Sequence, residues 1–125
     1  MATRQLAPDP QDLVQETLLG EALEHAPVGA IVLDEEGCYL AANRLACSLL
    51  GYTRDELLEG GAQTLALDSA RVPEQLAAMT SGDLQSGTAE LRRKDGSSVA
   101  CDFRVGATRS GGLPYFVVVF WEQRD

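Results

Sequence analysis

The chain has 125 residues, 45% of them hydrophobic and 23% charged, which is the size and composition of a single soluble globular domain. Its formal net charge of −9 argues against direct binding of nucleic acid, which requires a basic surface, and no apolar run reaches the ~20 residues that span a membrane. Three cysteines without C-x-x-C spacing argue against a disulfide framework and a zinc site, so we expect a protein of the reducing cytoplasm.

The first predicted element is an N-terminal amphipathic helix. Residues 1–11 contain two prolines and are predicted to be a flexible N-terminus. Residues 12–26 then show a wide apolar stripe at helical spacing, which needs an apolar partner surface. That partner is either the sheet of the same domain or a second copy of the chain. The apolar side chains of the stripe include Leu13, Val14, Leu18, Leu19, Ala22 and Leu23.

The remaining residues, 27–125, are predicted to form one domain that begins with a hairpin leading into a helix. The runs GAIVLD and CYLAA predict two strands, and a turn at Gly37 joins them. Asn43 follows at the position of a helix N-cap, RLACSLL continues as the helix, and Gly51 ends it.

Further helices are predicted between residues 53 and 82. Thr53 and Glu56 have the spacing of a capping box, in which each side chain bonds the backbone N–H of the other residue. They open a short helix, which is followed by an irregular segment, GAQTLALDS. A second helix then runs to about Thr80, with Pro73 tolerated in its first turn.

Three strands are predicted after Gly82. Asp95-Gly96 between two of them is typical of a tight hairpin turn, and residues 110–112 form a second turn. The last strand, residues 113–121, is almost continuously apolar and is therefore expected at the centre of the sheet. Two strands, then helices, then three strands indicate an α+β domain with a single five-stranded antiparallel sheet. The helices between strands 2 and 3 would cover one face of it.

This ordered set of features resembles the PAS family of sensor and signalling modules. In that family an apolar strand runs into an acidic-Gly turn and a second strand, and an Asn then opens a helix that ends in Gly-Tyr before a T-x-x-E-L-x-G segment. The turn of the type x-K-D-G matches residues 92–96, and the resemblance covers residues 22 to 122. The other matching residues are Val32-Leu33-Asp34, Gly37, Asn43, Gly51-Tyr52, Thr53, Glu56, Leu57 and Gly60.

The resemblance implies a PAS fold in which the helices of the middle segment form a lid over a ligand pocket. If a ligand is held there, we expect an unidentified small apolar molecule, since no polar group in the set indicates a particular one. The alternative is that these side chains simply fill a close-packed core. The candidates are Ile31, Leu33, Leu50, Leu67, Leu76, Met79, Phe103, Val117 and Val119.

The sequence departs from the cofactor-binding members of the family. Flavin-binding members carry a reactive Cys in an Asn-Cys-Arg-Phe-Leu-Gln segment where this chain has GGAQTLALD. Haem-binding members use a His on the lid helix, whereas the single histidine here, His25, precedes the first strand. We therefore predict no cofactor, and in particular neither covalent flavin nor haem.

No catalytic or metal-binding constellation is visible in the sequence, so we do not expect an enzyme. The sequence has one histidine, no phosphate-binding glycine loop and no paired carboxylates. It therefore shows no set of residues that could perform acid–base or nucleophilic catalysis. The acidic run at residues 34–36 is typical of a solvated turn rather than a metal site. Cys38 is the most accessible thiol expected, while Cys47 and Cys101 have the pattern of small buried apolar residues.

We therefore hypothesise a sensory and signal-transduction module of the kind found in bacterial two-component regulation. The resemblance favours a homodimer through the N-terminal helix, with protein–protein interaction passing the signal to an effector such as a kinase, cyclase or transcription regulator. The alternative is a receptor for a small apolar ligand in the pocket. Family members that pass a signal onward commonly end the last strand in Asp-Ile-Thr, which residues 120–124 lack. We accordingly expect either an excised input domain or a stand-alone protein that binds a partner.

Overall fold

The computed structural model describes residues 10–67, 69–110 and 112–123, and its elements follow the order predicted from the sequence. The helices are α1 (Pro10–Glu24), α2 (Arg44–Leu50), α3 (Arg54–Gly60), α4 (Ala62–Leu65) and α5 (Val72–Ser81), and a 3₁₀ turn, Ser69–Arg71, precedes α5. The strands are β1 (Gly29–Asp34), β2 (Tyr39–Ala42), β3 (Ser86–Arg92), β4 (Ser98–Ser110) and β5 (Leu113–Glu122). The segment predicted to be irregular therefore contains one helical turn, α4, whose Ala62 N–H donates to the carbonyl oxygen of Gly37 at 2.9 Å.

The five strands form one antiparallel sheet in the order β2-β1-β5-β4-β3, which confirms the predicted fold class. The nearly continuous apolar strand β5 lies at the centre, paired with β1 on one side and β4 on the other. The four-residue strand β2 and the seven-residue strand β3 form the two edges. The last strand thus lies beside the first, and the chain closes its sheet through pairs that are distant in sequence.

Helices α2 to α5 cover one face of the sheet, here called the inner face. The core between them has apolar side chains from both layers, and Leu50 and Leu57 are completely enclosed in it. Its buried members are Ile31, Leu33, Ala42, Ala46, Leu50, Leu57, Leu65, Val72, Leu76, Val99, Cys101, Phe116 and Phe120.

Asn43 is the one buried polar side chain of this core among the described residues, and it joins three elements. Its Oδ1 accepts from the backbone N–H of Ala30 at 2.9 Å and of Ala46 at 3.1 Å. Its Nδ2 donates to the carbonyl oxygens of Leu23 at 2.6 Å and Val28 at 2.9 Å. The end of α1, the start of β1 and the N-terminus of α2 therefore meet at one amide.

The turn between β3 and β4 packs against the ends of α2 and α3. Gly96 has φ of +92°, a conformation that glycine adopts without steric cost, and this permits the tight turn predicted at Asp95-Gly96. The Lys94 N–H donates to the carbonyl oxygen of Leu50, and its Nζ lies 2.5 Å from the Glu56 carboxylate. Glu56 also completes the capping box of α3 with Thr53. One turn thus contacts the ends of both helices.

Helix α1 begins and ends two residues earlier than predicted. Proline is accepted in the first turn of a helix, so Pro10 does not delay its start. At the other end, the residue before a proline avoids the helical conformation, and Pro27 follows closely. Arg54 holds this end of α1, because its Nη2 contacts both carboxylate oxygens of Glu24 at 2.8 and 2.7 Å.

Two described leucines of α1 do not pack onto the sheet. Leu18 and Leu19 are 60% and 61% exposed, whereas Leu23, which is 39% exposed, lines a depression with the first two strands. Of the two alternatives for the apolar stripe, packing within the same domain therefore does not account for Leu18 and Leu19. The side chains of Leu13 and Val14, and most of the predicted flexible N-terminus, lie outside the described residues. No helix in the described part of the chain is long and apolar enough to cross a membrane.

Candidate functional site

A cavity of about 410 Å³ lies between the inner face of the sheet and the lid formed by α4 and α5. Its walls are mostly apolar, and they come from every layer of the domain. The sheet supplies Ile31, Leu33, Tyr39, Ala89, Leu91, Cys101, Phe103, Val118 and Phe120. The lid and its connections supply Ala62, Leu65, Ala66, Leu67, Val72, Leu76, Met79 and Leu84, and polar residues Arg71, Gln75, Thr88 and Glu90 complete the lining.

The period of two along each strand decides which side chains reach this cavity. Ile31 lies opposite Val118 in the β1–β5 pair, and Phe103 lies opposite Phe120 in the β4–β5 pair. Directly opposed residues of an antiparallel pair point to the same face, so these four side chains converge on the inner face. The sheet therefore presents a broad apolar floor to the cavity.

Six of the nine predicted pocket residues come together in this lining: Ile31, Leu33, Leu67, Leu76, Met79 and Phe103. Leu50 does not line the cavity, because α2 packs it completely into the core. Val117 and Val119 also lie elsewhere. They alternate with Val118 and point to the opposite face of the sheet, which we call the outer face.

The assignment of Val117 and Val119 is corrected by the register of β5. Because almost every residue of this strand is apolar, its sequence carries no alternation from which the inner side could be recognised. The two phenylalanines, Phe116 and Phe120, are four residues apart and thus share a face with Val118. Their spacing was the available signal for the inner face, since both are almost fully buried.

Tyr39 is a cavity residue that the sequence analysis missed. It lies opposite Leu33 across the β1–β2 pair, which places it on the inner face. Burial raises the pKa of its phenol well above the ordinary value, so the hydroxyl stays protonated. The signal in the sequence was its pairing with a predicted pocket residue, Leu33, across a short hairpin.

The charged and amide side chains of α5 and its start that line the cavity lie at its mouth. Arg71 and Gln75 are exposed there, whereas Glu90 of β3 lies opposite Ala100 and points its side chain to the outer face. Deeper in the cavity, Cys101 is buried, and burial raises the pKa of its thiol, which keeps it neutral. The deep part of the site therefore offers uncharged groups only.

The remaining candidate groups lie away from the cavity. His25 is exposed just after the end of α1 and does not line the cavity. The ligand atoms of Asp34, Glu36 and Cys38 lie within 4.8 Å of one another in the exposed turn after β1. Within that turn, Asp34 Oδ1 already accepts from the backbone N–H groups of Glu36 and Cys38, each at 2.9 Å. This is the hydrogen bonding of a solvated turn.

The outer face of the sheet carries a second apolar surface, which we call the outer strip. Its members, Val32, Tyr115, Val117, Val119 and Trp121, are only partly buried. A shallow depression beside it is lined by the end of α1 and by the first two strands. The exposed leucines of α1 therefore lie on an element whose end reaches the outer face.

Comparison with known families identifies this architecture. The PAS fold family matches residues 17–122. The chain belongs to the PAS family. No curated protein sequence matches the chain. The match covers both the sheet and the lid, so the cavity described above is the interior of a PAS domain.

Solved structures agree with this assignment. A PAS domain from Desulfitobacterium hafniense is 24% identical, with a TM-score of 0.78 over 82% of this chain and 99% of that one. A domain of a sensory box sensor histidine kinase/response regulator from Geobacter sulfurreducens is 25% identical, with a TM-score of 0.75 over 86% of this chain and 94% of that one. Such relatives indicate a signal-sensing module, and PAS domains are typically sensory rather than catalytic.

A third similar structure bears on small molecules. It is the PAS domain, in complex with ethanol, of a transcriptional regulator in the LuxR family from Burkholderia thailandensis. It is 16% identical, with a TM-score of 0.69 over 82% of this chain and 95% of that one. At this identity the likeness concerns the fold.

Proposed function

We propose that this PAS domain is a sensory module that holds a small, largely apolar molecule in the cavity beneath α4 and α5. The observation that carries the proposal is the cavity itself, about 410 Å³ in volume and lined mainly by apolar side chains. The cavity accommodates roughly 14 non-hydrogen atoms if each takes ~30 Å³, the volume of one water molecule in the liquid. An apolar molecule of that size gains free energy by leaving water.

The lid contacts provide a route by which occupancy changes the rest of the domain. A Cβ placed on Gly37, in the β1–β2 turn, would lie 3.1 Å from Leu76 of α5, so the lid packs directly on this turn. The same turn accepts the N–H of Ala62 from α4. A ligand that binds one lid position better than another shifts the population of lid positions, and the turn and β1 shift with it.

A cavity-filling variant tests this function. Ala89 lines the cavity from β3, and Ala100 is exposed on the outer face of β4. We expect Ala89→Phe to fill the cavity and Ala100→Phe to add the same ring outside it. Native mass spectrometry of the purified proteins should show a retained molecule in the wild type and in Ala100→Phe, and none in Ala89→Phe.

The result that contradicts the proposal is also defined. An equal mass excess in all three proteins places the bound molecule outside the cavity. If the wild type retains nothing, an NMR screen of small neutral and charged compounds replaces the retained molecule as the probe. Failure of every compound to perturb the amide signals of cavity residues contradicts small-molecule sensing.

We further propose that the domain acts as a homodimer and passes its signal to a protein effector. The supporting observation is the exposure of Leu18 and Leu19 on a helix whose end reaches the outer strip. A twofold dimer brings the same patch of both copies together, so exposed apolar side chains become mutually buried. The kinase and transcription-regulator relatives support a kinase or a transcription regulator as the effector, and a cyclase is the further class of effector that we propose.

A further inference from the structure

We propose that the ligand of the cavity is an uncharged, largely apolar molecule with one hydrogen-bond-accepting oxygen, and that the Tyr39 hydroxyl donates a hydrogen bond to that oxygen. This inference rests on the proposed small-molecule function and names the class of ligand. Tyr39 thereby becomes the residue that determines specificity in a site otherwise built from apolar side chains.

The hydroxyl of Tyr39, a half-buried residue of the cavity lining, has no protein partner among the described residues. It makes no hydrogen bond to any described residue. Tyr39 is half-buried and packs against the core, and burial raises the pKa of its phenol. Nevertheless, the described residues include no fully enclosed side-chain oxygen or nitrogen that lacks a partner. The hydroxyl oxygen therefore keeps accessible surface, and Tyr39 lies on the inner face of the sheet as part of the cavity lining.

The distribution of charge favours an uncharged ligand. Arg71 is the one charged side chain of the described lining on the cavity side of the sheet, and it is exposed at the mouth, whereas Glu90 lies opposite Ala100 and points to the outer face. A carboxylate or ammonium group placed deeper would lose its water without gaining a partner of opposite charge, which is strongly unfavourable. A neutral oxygen avoids this cost.

The chemistry of the phenol favours an accepting oxygen on the ligand. A protonated tyrosine has one O–H donor, and Cys101 adds only a weak thiol donor. A purely apolar ligand would cover the hydroxyl and leave that donor buried and unpaired, which costs binding free energy. A ketone, ester, ether or alcohol oxygen pairs with it. The site therefore discriminates between two molecules of equal shape, of which only one carries such an oxygen.

The test uses benzophenone and 1,1-diphenylethylene, which have the same shape and differ in a carbonyl oxygen replaced by a methylene group. Both are close to the estimated capacity of the cavity. Biphenyl-4-carboxylate serves as the charged comparator. Dissociation constants are measured by titration of the isotopically labelled protein, followed through its amide NMR signals.

We expect the wild type to bind benzophenone roughly 2- to 10-fold more tightly than 1,1-diphenylethylene, the worth of one hydrogen bond. In Tyr39→Phe the two dissociation constants should become equal, with an unchanged melting temperature because the lost hydroxyl has no protein partner. Tyr52→Phe is the matched control, since Tyr52 packs against the core outside the cavity lining. It should keep the wild-type preference.

Three results overturn the inference while leaving small-molecule binding intact. These are equal binding of the neutral pair by the wild type, a preference that persists in Tyr39→Phe, and tighter binding of the carboxylate. If none of the three compounds binds although the purified protein retains some other molecule, the ligand class is wrong and the cavity still has a ligand. No binding together with no retained molecule contradicts both this inference and the function on which it rests.

Discussion

Asn43 shows how much of this domain depends on a single side chain. Its amide uses both of its ends, accepting two backbone N–H groups and donating to two carbonyl oxygens. The sequence identified it as the N-cap of α2, which is a local role. The bonds to Leu23 and Val28 connect it to α1 and to the chain before β1, and these depend on how the elements meet in three dimensions.

The prediction for this residue is that Asn43→Ala is strongly destabilising. The variant removes a helix cap, worth about 1 kcal/mol, and leaves the buried Ala30 N–H unpaired at roughly 1–3 kcal/mol, while the part-buried carbonyls of Leu23 and Val28 can bond water instead. We therefore expect a loss of about 2–4 kcal/mol in the free energy of unfolding, measured by urea denaturation. Asn43→Ser is the matched control, because its hydroxyl can still cap Ala46. A loss below ~1 kcal/mol in the alanine variant, or equal losses in both, would contradict this account.

Tyr39, in the cavity lining, is a second case in which a single residue matters to the proposed function. Tyr39 attracted no attention in the sequence because an aromatic residue in a short edge strand is ordinary. The predicted hairpin could have indicated its pairing with Leu33, whereas the lack of a protein partner for its hydroxyl emerges only from the folded chain. A single polar group on an apolar surface, as proposed here for ligand recognition, has no sequence pattern of its own.

At the scale of elements, the short helix α3 is stabilised by bonds at its first turn. Thr53 accepts from the Glu56 N–H, while the Glu56 carboxylate accepts from the Thr53 N–H and from Lys94 Nζ. The hydrogen bond from Lys94, followed by that from the Thr53 backbone, lowers the pKa of Glu56 below its ordinary value of 4.5. The Lys94 contact ties α3 to the turn between β3 and β4.

This lowered pKa leads to a pH-dependent prediction. Because the folded-state pKa of Glu56 lies below the unfolded one, its contribution to stability is fully present above pH 4.5 and decreases as the pH falls through the folded value. We expect Glu56→Gln to be less stable than the wild type at pH 7, with the difference shrinking in acid. Melting temperatures between pH 7 and pH 3 measure it. Glu59→Gln, an exposed change on the same helix, should not show the trend. A difference that is constant with pH would exclude this role of the carboxylate.

Sequence patterns predicted most elements of the domain because their signals are local. The capping box at Thr53, the N-cap at Asn43 and the hairpin at Asp95-Gly96 depend on residues within a few positions of one another. The one-turn helix α4 was not predicted, since a contact with Gly37, distant in sequence, orients its first residue. An element that is positioned by a remote partner has little signature of its own.

At the scale of the whole molecule, the two apolar surfaces face opposite directions. The inner face surrounds the cavity, and the outer strip continues toward the exposed leucines of α1. A signal generated at one surface can reach the other through β1 and Asn43, which contact both layers. This arrangement would allow the proposed ligand binding and the proposed dimerisation to be coupled within one domain.

The prediction at this scale concerns the homodimer. Replacing Leu18 and Leu19 with Glu adds four negative charges across a dimer whose chains already carry a net charge of −9 each. We expect the wild type to sediment as a dimer at micromolar concentration, and the double variant as a monomer with an unchanged circular dichroism spectrum. Leu113→Glu is the control, since Leu113 is 73% exposed in the turn end of β5, away from α1. A monomeric wild type, or a double variant that remains dimeric, would refute the proposed interface.

The sequence by itself determined the order of the elements, their caps and turns, and the resemblance to the PAS family, because each of these depends on residues that are close together in the chain. It also predicted six of the residues that line the cavity. Only the tertiary structure decided which side of β5 faces the cavity, that Tyr39 belongs to the cavity lining, and that Leu18 and Leu19 of α1 stay exposed. The physical reason is that a continuously apolar strand lacks the alternation of apolar and polar residues that would indicate its buried face. Its register is set by partner strands that are distant in sequence.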